Sequence, residues 1–198
     1  MNSTCGMRIL VLYCHPDNRS FCHALAGRYA VGARRAGHTV EEHTVAHLPL
    51  AEWLSFTERS HPELPEALRR VQEAIGRAEH LVIAHPVWWG AVPAQTKLFI
   101  ELVFQSGFAF RYRKGSGMFG WERLLTGKSA RIIATMDTPP LVYRLFFGDP
   151  SGNMLARSTL WFSGITPVKK TYIGAVHGAG EEKRARWLAQ LERIGERE

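Results

Sequence analysis

The chain has 198 residues, of which 45% are hydrophobic and 22% are charged, a composition typical of one ordinary domain that can bury a core. This composition excludes disordered, collagen-like and repeat proteins, and no apolar run approaches the roughly 20 residues needed to cross a bilayer. An excess of 25 Lys and Arg over 18 Asp and Glu gives a net charge of +7, which favours an anionic ligand or partner.

The first part of the chain alternates predicted strands and helices. Arg8 to Tyr13 form an apolar run rich in branched side chains, which predicts a strand buried on both faces. Apolar residues recur at helical spacing from Phe21, and Gly37 closes that segment as a helix cap would. Residues 39–45 alternate as a short strand, whereas the proline-punctuated stretch 48–65 predicts mostly loop.

The middle of the chain predicts a second buried strand between two helices. Apolar residues recur every three or four positions from Leu64 to Ile75, which indicates a helix. The apolar run Leu81 to Ala84 predicts the strand, which we expect to stop at the pair His85-Pro86. The next helix is predicted from Pro93 to Phe104, because the first helical turn tolerates proline.

The last part of the chain predicts two further strands. Residues 107–120 are rich in glycine and arginine and predict a loop. Ala130 to Thr135 form a third buried strand, and Thr171 to Val176 form a later one after a helix near Leu155 to Phe162. Glu181 to Ile194 predict a closing amphipathic helix.

The alternation of elements predicts one α/β domain over residues 1–198, with residues 1–6 as a candidate disordered start. Right-handed crossovers would join the strands into a mainly parallel, doubly wound sheet with helices on both faces. Ligands of such sheets bind beyond the carboxyl ends of the strands. The loops at 15–22, 85–95 and 135–143 are therefore the candidate functional segments.

The first of these loops lies between a strand and a helix start, where free backbone amides and the helix dipole favour an anion. Ser20 would add a hydroxyl and Arg19 a positive charge. The loop therefore predicts a phosphate site. It is equally compatible with Ser20 as a simple helix N-cap and His15 as an edge residue.

The second loop contains two adjacent tryptophans, Trp88 and Trp89, followed by Gly90. Pro86 and Pro93 stiffen the chain around them, which leaves flat apolar surface beside exposed backbone amides. This combination suits a planar heteroaromatic ring. The alternative is that the two tryptophans belong to the core and its rim, because neighbours on an extended chain point opposite ways.

Other motifs argue against other classes of function. Gly115, Gly117 and Gly120 match the spacing of the dinucleotide fingerprint, but they follow a basic loop instead of a buried strand, so we interpret them as a flexible lid. The sequence has neither a P-loop nor the serine-hydrolase elbow. Its basic residues are scattered without a nucleic-acid-binding motif, so we expect no nucleic-acid partner.

The cysteines and the N-terminus bear on the compartment. Cys5, Cys14 and Cys22 are odd in number and crowded near the start, which predicts free thiols. The first residues lack the features of a secretory signal, and the protein is expected to be cytoplasmic without stable membrane insertion. Cys14 and Cys22, with His15 and His23, fit no structural zinc spacing, so we expect no metal site.

Taken together, four segments make the chain resemble the flavodoxin-like NAD(P)H:quinone oxidoreductase family, the group of DT-diaphorase and the bacterial quinone reductases. They are the first loop with His15 and Ser20-Phe21, the block PVWWGAVPAQTKLFIE at 86–101, the run FQSGFAFRY at 104–112 and the segment WFSGITPV at 161–168. The resemblance implies a flavodoxin-like doubly wound sheet of five parallel strands.

The resemblance also implies a non-covalent flavin, for which the first loop favours FAD, with FMN as the alternative. Hydride would pass from NADH or NADPH to the flavin and then to a quinone-type acceptor in a ping-pong reaction. Backbone amides of the second and third loops would stabilise the reduced ring. Arg111, Arg113 and Lys114 are candidates to bind the nicotinamide cofactor.

The resemblance assigns residues to this site. The flavin phosphates would bind at His15, Ser20, Phe21 and Cys22, the ring at Pro86, Val87, Trp88, Trp89 and Gly90, and the pyrimidine side of the ring at Thr135, Met136, Asp137 and Thr138. Phe110 and Tyr112 would line the substrate pocket across the interface of a homodimer.

Three positions depart from the family pattern. Cys22 stands where relatives often carry Asn, and Thr-Met-Asp-Thr at 135–138 replaces a common Thr-Thr-Gly-Gly turn. Tyr143 corresponds to the tyrosine that some relatives place beyond that turn, and it is the catalytic candidate, but no histidine follows nearby. The alternative function is a regulatory subunit of a membrane ion-efflux system, which some relatives of this type provide.

Overall fold

The architecture alternates strands and helices, and this computed structural model describes residues 6–50, 63–113 and 120–198. Within these ranges the strands are β1 (Arg8–Tyr13), β2 (Thr39–Thr44), β3 (His80–Pro86), β4 (Phe110–Tyr112), β5 (Trp121–Arg123), β6 (Ser129–Thr135) and β7 (Val168–Ile173). The helices are α1 (Phe21–Arg35), α2 (Glu66–Arg77), α3 (Ala94–Val103), α4 (Pro140–Leu145), α5 (Pro150–Asn153) and α6 (Glu181–Gly195), with a 3-10 turn at Val45–His47 and a π-helical segment at Met154–Trp161. None of these helices is long and apolar enough to span a membrane.

The main sheet has the strand order β2-β1-β3-β6-β7, and every neighbouring pair is parallel. The chain passes from β2 back across β1 to reach β3, so the direction of winding reverses between β1 and β3. Ligands of doubly wound sheets bind at this reversal, beyond the carboxyl ends of the strands. The predicted flavodoxin-like sheet of five parallel strands is confirmed.

Alternate residues of β1 face opposite layers of the core. Leu10 and Leu12 pack with the side of the sheet covered by α2 and α3, whereas Ile9 and Val11 pack with the side covered by α1 and α6. All four side chains are at most 1% exposed. The apolar run of this strand therefore reflects burial on both faces, as parallel sheets require.

Helices α1 and α6 cross closely because glycine occupies the contact on both of them. A Cβ at Gly32 of α1 would lie 2.0 Å from the backbone oxygen of Glu192, and one at Gly195 of α6 would lie 2.2 Å from that of Tyr29. Neither distance is physically accessible to a carbon atom. The two backbones approach closely only while both positions lack a side chain.

Strand β3 is longer than its apolar run. It extends from His80 to Pro86, and β6 pairs with all seven of its residues, up to the partners His85–Ala134 and Pro86–Thr135. Both histidines are buried. The strand ends at the expected pair His85-Pro86, but the predicted extent Leu81–Ala84 was wrong by one residue at its start and two at its end, because the neighbouring strand covers these polar ends.

The predicted loop at 107–120 was also wrong in part, because β4 pairs with β5 to form an antiparallel hairpin. Three-residue strands are too short to produce a clear alternation in sequence. The predicted lid with Gly115 and Gly117 lies outside the described residues, as do residues 1–5 and most of the stretch 48–65.

Two boundaries near the end of the chain differ from expectation. Strand β7 begins at Val168, and Lys169 and Lys170 made its start hard to recognise in the sequence. Lys169 is exposed, which an edge strand tolerates, and Lys170 pairs with the buried Asp149. Helix α4 was not predicted, because the pair Pro139-Pro140 suggests a loop. In the structure Pro140 opens the helix, where its missing amide costs no hydrogen bond.

An ion-pair cluster lies at the amino-terminal edge of the sheet. The carboxylate of Glu198 lies 2.7 Å from Nε of Arg131 and 2.8 Å from Nζ of Lys169, and its side chain is only 4% exposed. The hydroxyl of Tyr29 lies 3.4 Å from the same carboxylate, and Nε2 of the buried His80 lies 3.9 Å away. This cluster, the Glu198 cluster below, ties the end of the chain to β6 and β7.

Candidate functional site

Ser20 caps helix α1 at the carboxyl end of β1. Its Oγ accepts a hydrogen bond from the amide of His23 at 3.2 Å. The amides of Phe21 and Cys22 precede Ala24, whose amide makes the first backbone hydrogen bond of the helix, to the carbonyl of Ser20, and they stay available to an anion. The first turn contains no acidic residue, so a phosphate there would meet the positive end of the helix dipole without repulsion from that turn.

The side chain of Arg19 is exposed and pairs with Asp17, and it does not point to a phosphate site as clearly as Ser20 does. Its guanidinium lies 3.3 Å from Asp17, and its side chain is 88% exposed. A hydrogen bond from the Arg19 amide, and a second from its guanidinium, outweigh burial and hold the pKa of Asp17 below its usual value. The charge of Arg19 is thus largely balanced by its neighbour, and its role in binding a phosphate stays a prediction.

His15 connects the first loop to the second. Its ring contacts Trp88 edge-on at a centroid distance of 5.6 Å, and its Nδ1 accepts a hydrogen bond from the amide of Asp17 at 3.0 Å. Burial lowers the pKa of His15, which favours the neutral ring at pH 7. With Nδ1 as an acceptor, the neutral ring carries its proton on Nε2, where it can be donated to a ligand.

The second loop contains a tight turn with unusual backbone geometry. Trp88 and Ala91 exchange two backbone hydrogen bonds of 2.9 Å, and the residues between them, Trp89 and Gly90, have φ values of 51° and 75°. A non-glycine residue in this left-handed region is strained by about 1 kcal/mol. The side chain of Trp89 is fully exposed, at 105%, so contacts within this chain do not offset that strain.

A cleft of about 510 Å³ opens between the second and third loops. Its size suits a small organic ligand. Its lining includes six predicted cofactor-binding residues, which are Val87, Trp89, Gly90, Met136, Asp137 and Thr138. Tyr143 also lines it, together with Phe147 and Pro150, which sequence reasoning missed because α4 and α5 were not predicted there.

The third loop is fixed by backbone contacts with the end of β7. The amide of Met136 donates to the carbonyl of Ile173 at 2.9 Å, and the carboxylate of Asp137 accepts from the amide of His177 at 2.7 Å. Asp137 is therefore held at the mouth of the cleft with its backbone constrained. Backbone groups at this position can recognise the polar edge of a ring.

Cys22, in the first turn of α1, has a buried thiol, and the side chain of Thr135 in the third loop partly offsets the effect of that burial on its pKa. Burial raises the pKa of Cys22 to about 12, and the same cause raises the pKa of Cys14 to about 12. Both remain protonated thiols at neutral pH. They therefore act as small packing residues and not as nucleophiles, for which the thiolate is needed.

The hydroxyl of Tyr143 makes all its hydrogen bonds within the protein. It donates to the carbonyl of Gly90 at 3.1 Å, accepts from the amide of Ser151 at 3.1 Å, and lies 2.8 Å from Oγ of Ser151. The side chain is only 2% exposed. A catalytic role for Tyr143 stays a prediction.

A buried polar cluster lies behind this tyrosine. The carboxylate of Asp149 contacts Nζ of Lys170 at 2.7 Å and the hydroxyl of Tyr172 at 2.5 Å. Burial, followed by the hydrogen bond to Asp149, raises the pKa of Tyr172 far above its usual value. His85, next to Pro86, is completely buried, and burial lowers its pKa to about 4, so it is neutral at pH 7.

The structure does not bring Phe110 and Tyr112 into the cleft. They belong to the hairpin, where Phe110 contacts Tyr112 and Phe162 at ring distances of 5.3 and 5.1 Å. Trp121 stacks on Phe162 at 4.8 Å. This aromatic cluster stabilises the hairpin against the π-helical segment, and a role of Phe110 and Tyr112 in binding substrate would require a second chain.

Helix α4 and the residues after it expose an apolar surface that borders the cleft. It consists of Leu141, Val142, Leu145, Phe146 and Phe147, whose exposed fractions run from 44% to 82%. Isolated apolar residues are common on surfaces, but a contiguous set of this kind marks an interaction site. The sequence LVYRLFF could have revealed it once the segment was recognised as a helix.

Comparison with known proteins identifies the family. The family described as having the flavodoxin-like fold, Flavodoxin_2, matches residues 7–197. A protein of Haemophilus influenzae named an uncharacterized NAD(P)H oxidoreductase is 25% identical over 183 residues, which cover 90% of this chain and 89% of that protein.

Two further relatives extend the comparison. An FMN-dependent NADH:quinone oxidoreductase of Vibrio parahaemolyticus is 28% identical over 122 residues, which cover 61% of this chain and 57% of that protein. A crystal structure from Streptococcus mutans UA159 superposes with a TM-score of 0.84 and 28% identity, and covers 97% of this chain and 100% of that one.

Proposed function

The chain belongs to the flavodoxin-like NAD(P)H:quinone oxidoreductase family, and from this premise we propose that it is a flavin-dependent enzyme that reduces quinones with NADH or NADPH. The observation that carries the proposal is the cleft between the second and third loops. The free amides at the start of α1, after the carboxyl end of β1, are the second feature. A flavin needs both features, because it combines an anionic phosphate with a planar ring.

FMN is the proposed cofactor. The sequence alone favoured FAD, whereas the Vibrio relative is named as FMN-dependent. One phosphate fits the single helix N-terminus at Phe21 and Cys22. The stretch that could surround an adenosine lies largely in residues 51–62, outside the described ranges.

Each part of the site has a proposed task. The amides of Phe21 and Cys22, with Ser20 and the Nε2–H of His15, would bind the phosphate. Amides of the second and third loops would orient the ring and stabilise negative charge on it. When bound, the flavin supplies the hydride transfer that a ping-pong reaction between a nicotinamide and a quinone requires.

The second copy of the chain in a homodimer is the proposed source of the remaining contacts. The apolar surface of α4 borders the cleft, and Trp89 projects into solvent there. A second copy would cover both and bring its own Phe110 and Tyr112 to the site. Arg111 and Arg113 on the same hairpin are proposed to attract the nicotinamide cofactor, and Lys114 lies outside the described residues.

The proposal is tested by adding FMN or FAD to the flavin-free protein and then NADH or NADPH under argon. We expect the visible flavin spectrum to shift on binding, to bleach with a nicotinamide and to return when a quinone is added. A protein that binds neither flavin would contradict the proposal. The alternative of a regulatory subunit of an ion-efflux system stays a prediction, and a membrane partner that co-purifies would support it.

Trp89→Ala separates a ligand-binding role of this side chain from a structural one. Because the indole is fully exposed, the free energy of unfolding of the flavin-free protein should change by less than about 0.5 kcal/mol. The flavin should bind about 1 kcal/mol more weakly, which is the usual worth of an aromatic contact. Trp161→Ala is the control, since Trp161 packs on Arg123 and does not line the cleft. Fluorescence titration with flavin measures the affinity of each variant, and denaturation in urea measures the free energy of unfolding. An unchanged flavin affinity in Trp89→Ala would contradict ring contact.

A further inference from the structure

We propose that Tyr143 is a positioning residue, which sets the conformation of the ring-binding turn at Trp88–Ala91 through its hydrogen bond to the carbonyl of Gly90. This inference rests on the proposed function, because the turn is part of the proposed flavin site. It assigns Tyr143 a different role from the catalytic one that the sequence suggested.

The hydrogen-bonding capacity of the Tyr143 hydroxyl supports this role. A phenol has one proton to donate and can accept two hydrogen bonds. Its proton goes to the carbonyl of Gly90, and its oxygen accepts from the amide of Ser151 and from the Oγ–H of Ser151. All three positions are occupied by the protein. A ligand could receive this proton only if the bond to Gly90 broke.

The turn requires such a support. Trp89 adopts a left-handed conformation that is unfavourable for a residue with a side chain, and its indole makes no stabilising contact in this chain because it is wholly exposed. The turn is connected to the rest of the molecule by the chain on either side, by the edge-on ring contact of Trp88 with His15, and by the Gly90 carbonyl. Without the bond from Tyr143 this carbonyl loses its partner in the protein, and the amides of the turn are free to reorient.

The position of Tyr143 is fixed by Ser151 and, through it, by the ion pair of Asp149. Ser151, its partner, lies in α5, and Asp149 just before that helix is fixed to β7 by Lys170 and Tyr172. A Cβ at Gly152 would lie 2.3 Å from the Asp149 carboxylate, so α5 packs directly on this ion pair. The contacts form a continuous path from the edge strand β7, through α5 and Tyr143, to the turn.

Two measurements on Tyr143→Phe test the role. Hydrogen exchange of the flavin-free protein should become about tenfold faster at the Trp88 and Ala91 amides, which matches the loss of one hydrogen bond. The Ser151 amide, which loses its acceptor, should also exchange faster, and segments outside the turn and α5 should be unchanged. FMN should then bind about tenfold more weakly, while the pH profile of quinone reduction keeps its shape. Tyr29→Phe is the matched control, because it removes a buried hydroxyl near the amino-terminal ends of the strands, far from the turn.

The outcomes separate the possible roles. Unchanged exchange in the turn, or faster exchange throughout the molecule, would overturn the proposal. So would a slower quinone step with normal FMN affinity and the loss of one limb of the pH profile, which would make Tyr143 a proton donor. If the unmodified protein binds no flavin, the proposed function fails, and the exchange measurement still decides whether Tyr143 positions the turn.

Discussion

Gly32→Ala is expected to lower the free energy of unfolding by about 2 to 3 kcal/mol. The new methyl group would lie 2.0 Å from the backbone oxygen of Glu192, and a backbone atom cannot rotate away as a side chain does. Helices α1 and α6 would have to separate, which loses contacts along the whole crossing, and overpacking of this kind typically costs about 1 to 3 kcal/mol. Urea denaturation followed by circular dichroism measures the change.

Gly27→Ala provides the matched control on the same helix. A Cβ at Gly27 would lie 3.9 Å from its nearest neighbour, the hydroxyl of Tyr13, which is ordinary van der Waals contact. Alanine is favoured over glycine in a helix by about 0.5 to 1 kcal/mol, so this variant should be more stable than the unmodified protein. Equal changes at both positions would show that the helix crossing does not determine the effect.

Arg131→Met is expected to cost about 3 kcal/mol, because it removes a buried partner of the Glu198 carboxylate. Breaking a buried ion pair leaves a charge without full compensation, which typically costs about 3 to 5 kcal/mol. Lys169 remains as a partner, so the lower end of that range applies. Arg70→Met is the control, because its partner Glu66 and Arg70 are both mostly exposed and such pairs are worth less than about 0.5 kcal/mol. A loss in Arg131→Met no larger than in Arg70→Met would contradict the role of the Glu198 cluster.

The same cluster predicts the pH dependence of stability. Burial raises the pKa of Glu198, but the hydrogen bonds from Arg131 and Lys169 outweigh it and hold the pKa below the usual 4.5. Its contribution is therefore complete above pH 4.5 and is lost as the pH falls through the lower pKa of the folded state. His80 affects the stability at higher pH. Burial lowers its pKa from 6.5 to about 4, so the unfolded chain takes up this proton below about pH 6.5, before the folded protein does.

The unfolded chain therefore binds more protons than the folded one from about pH 6.5 downward, so stability should fall steadily as the pH decreases. Urea midpoints measured between pH 7 and pH 3.5 would follow this decline. In Arg131→Met the part below pH 4.5 should become smaller, since Glu198 then has a more ordinary pKa. A decline of equal steepness in both proteins would contradict the assignment to Glu198.

The sequence predicted the parallel sheet well wherever burial alone determines the residues. The limits predicted for β1 agree with the structure, because every residue after Arg8 is buried and apolar. The ends of β3 could not be predicted from His80 and His85, because polar residues do not indicate a buried strand. Their burial depends on β6, which lies some 50 residues further along the chain. The start of β7 could not be recognised because Lys169 is exposed on an edge strand and the ion pair of Lys170 depends on the position of Asp149.

The loops of the candidate site were predictable from the sequence, but the long-range contacts that position them were not. Trp89 and Gly90, which line the cleft, could be singled out because adjacent tryptophans followed by glycine are a local feature of the sequence. The hydrogen bonds of Tyr143 could not, because they depend on where α4 and α5 place Ser151 relative to Gly90. Likewise, the separation of Phe110 from the cleft depends on a hairpin whose strands are too short to give a periodic signal.

The close crossing of α1 and α6 also has a consequence for synthesis in the cell. Helix α1 leaves the ribosome about 150 residues before α6, which at roughly 5 to 20 residues per second means a delay of roughly 7 to 30 s. During that time the face of α1 around Gly32, which packs against α6, lacks this partner. The nascent chain therefore carries uncovered helix surface until its final segment emerges, and this is the interval in which chaperone binding would protect it from aggregation.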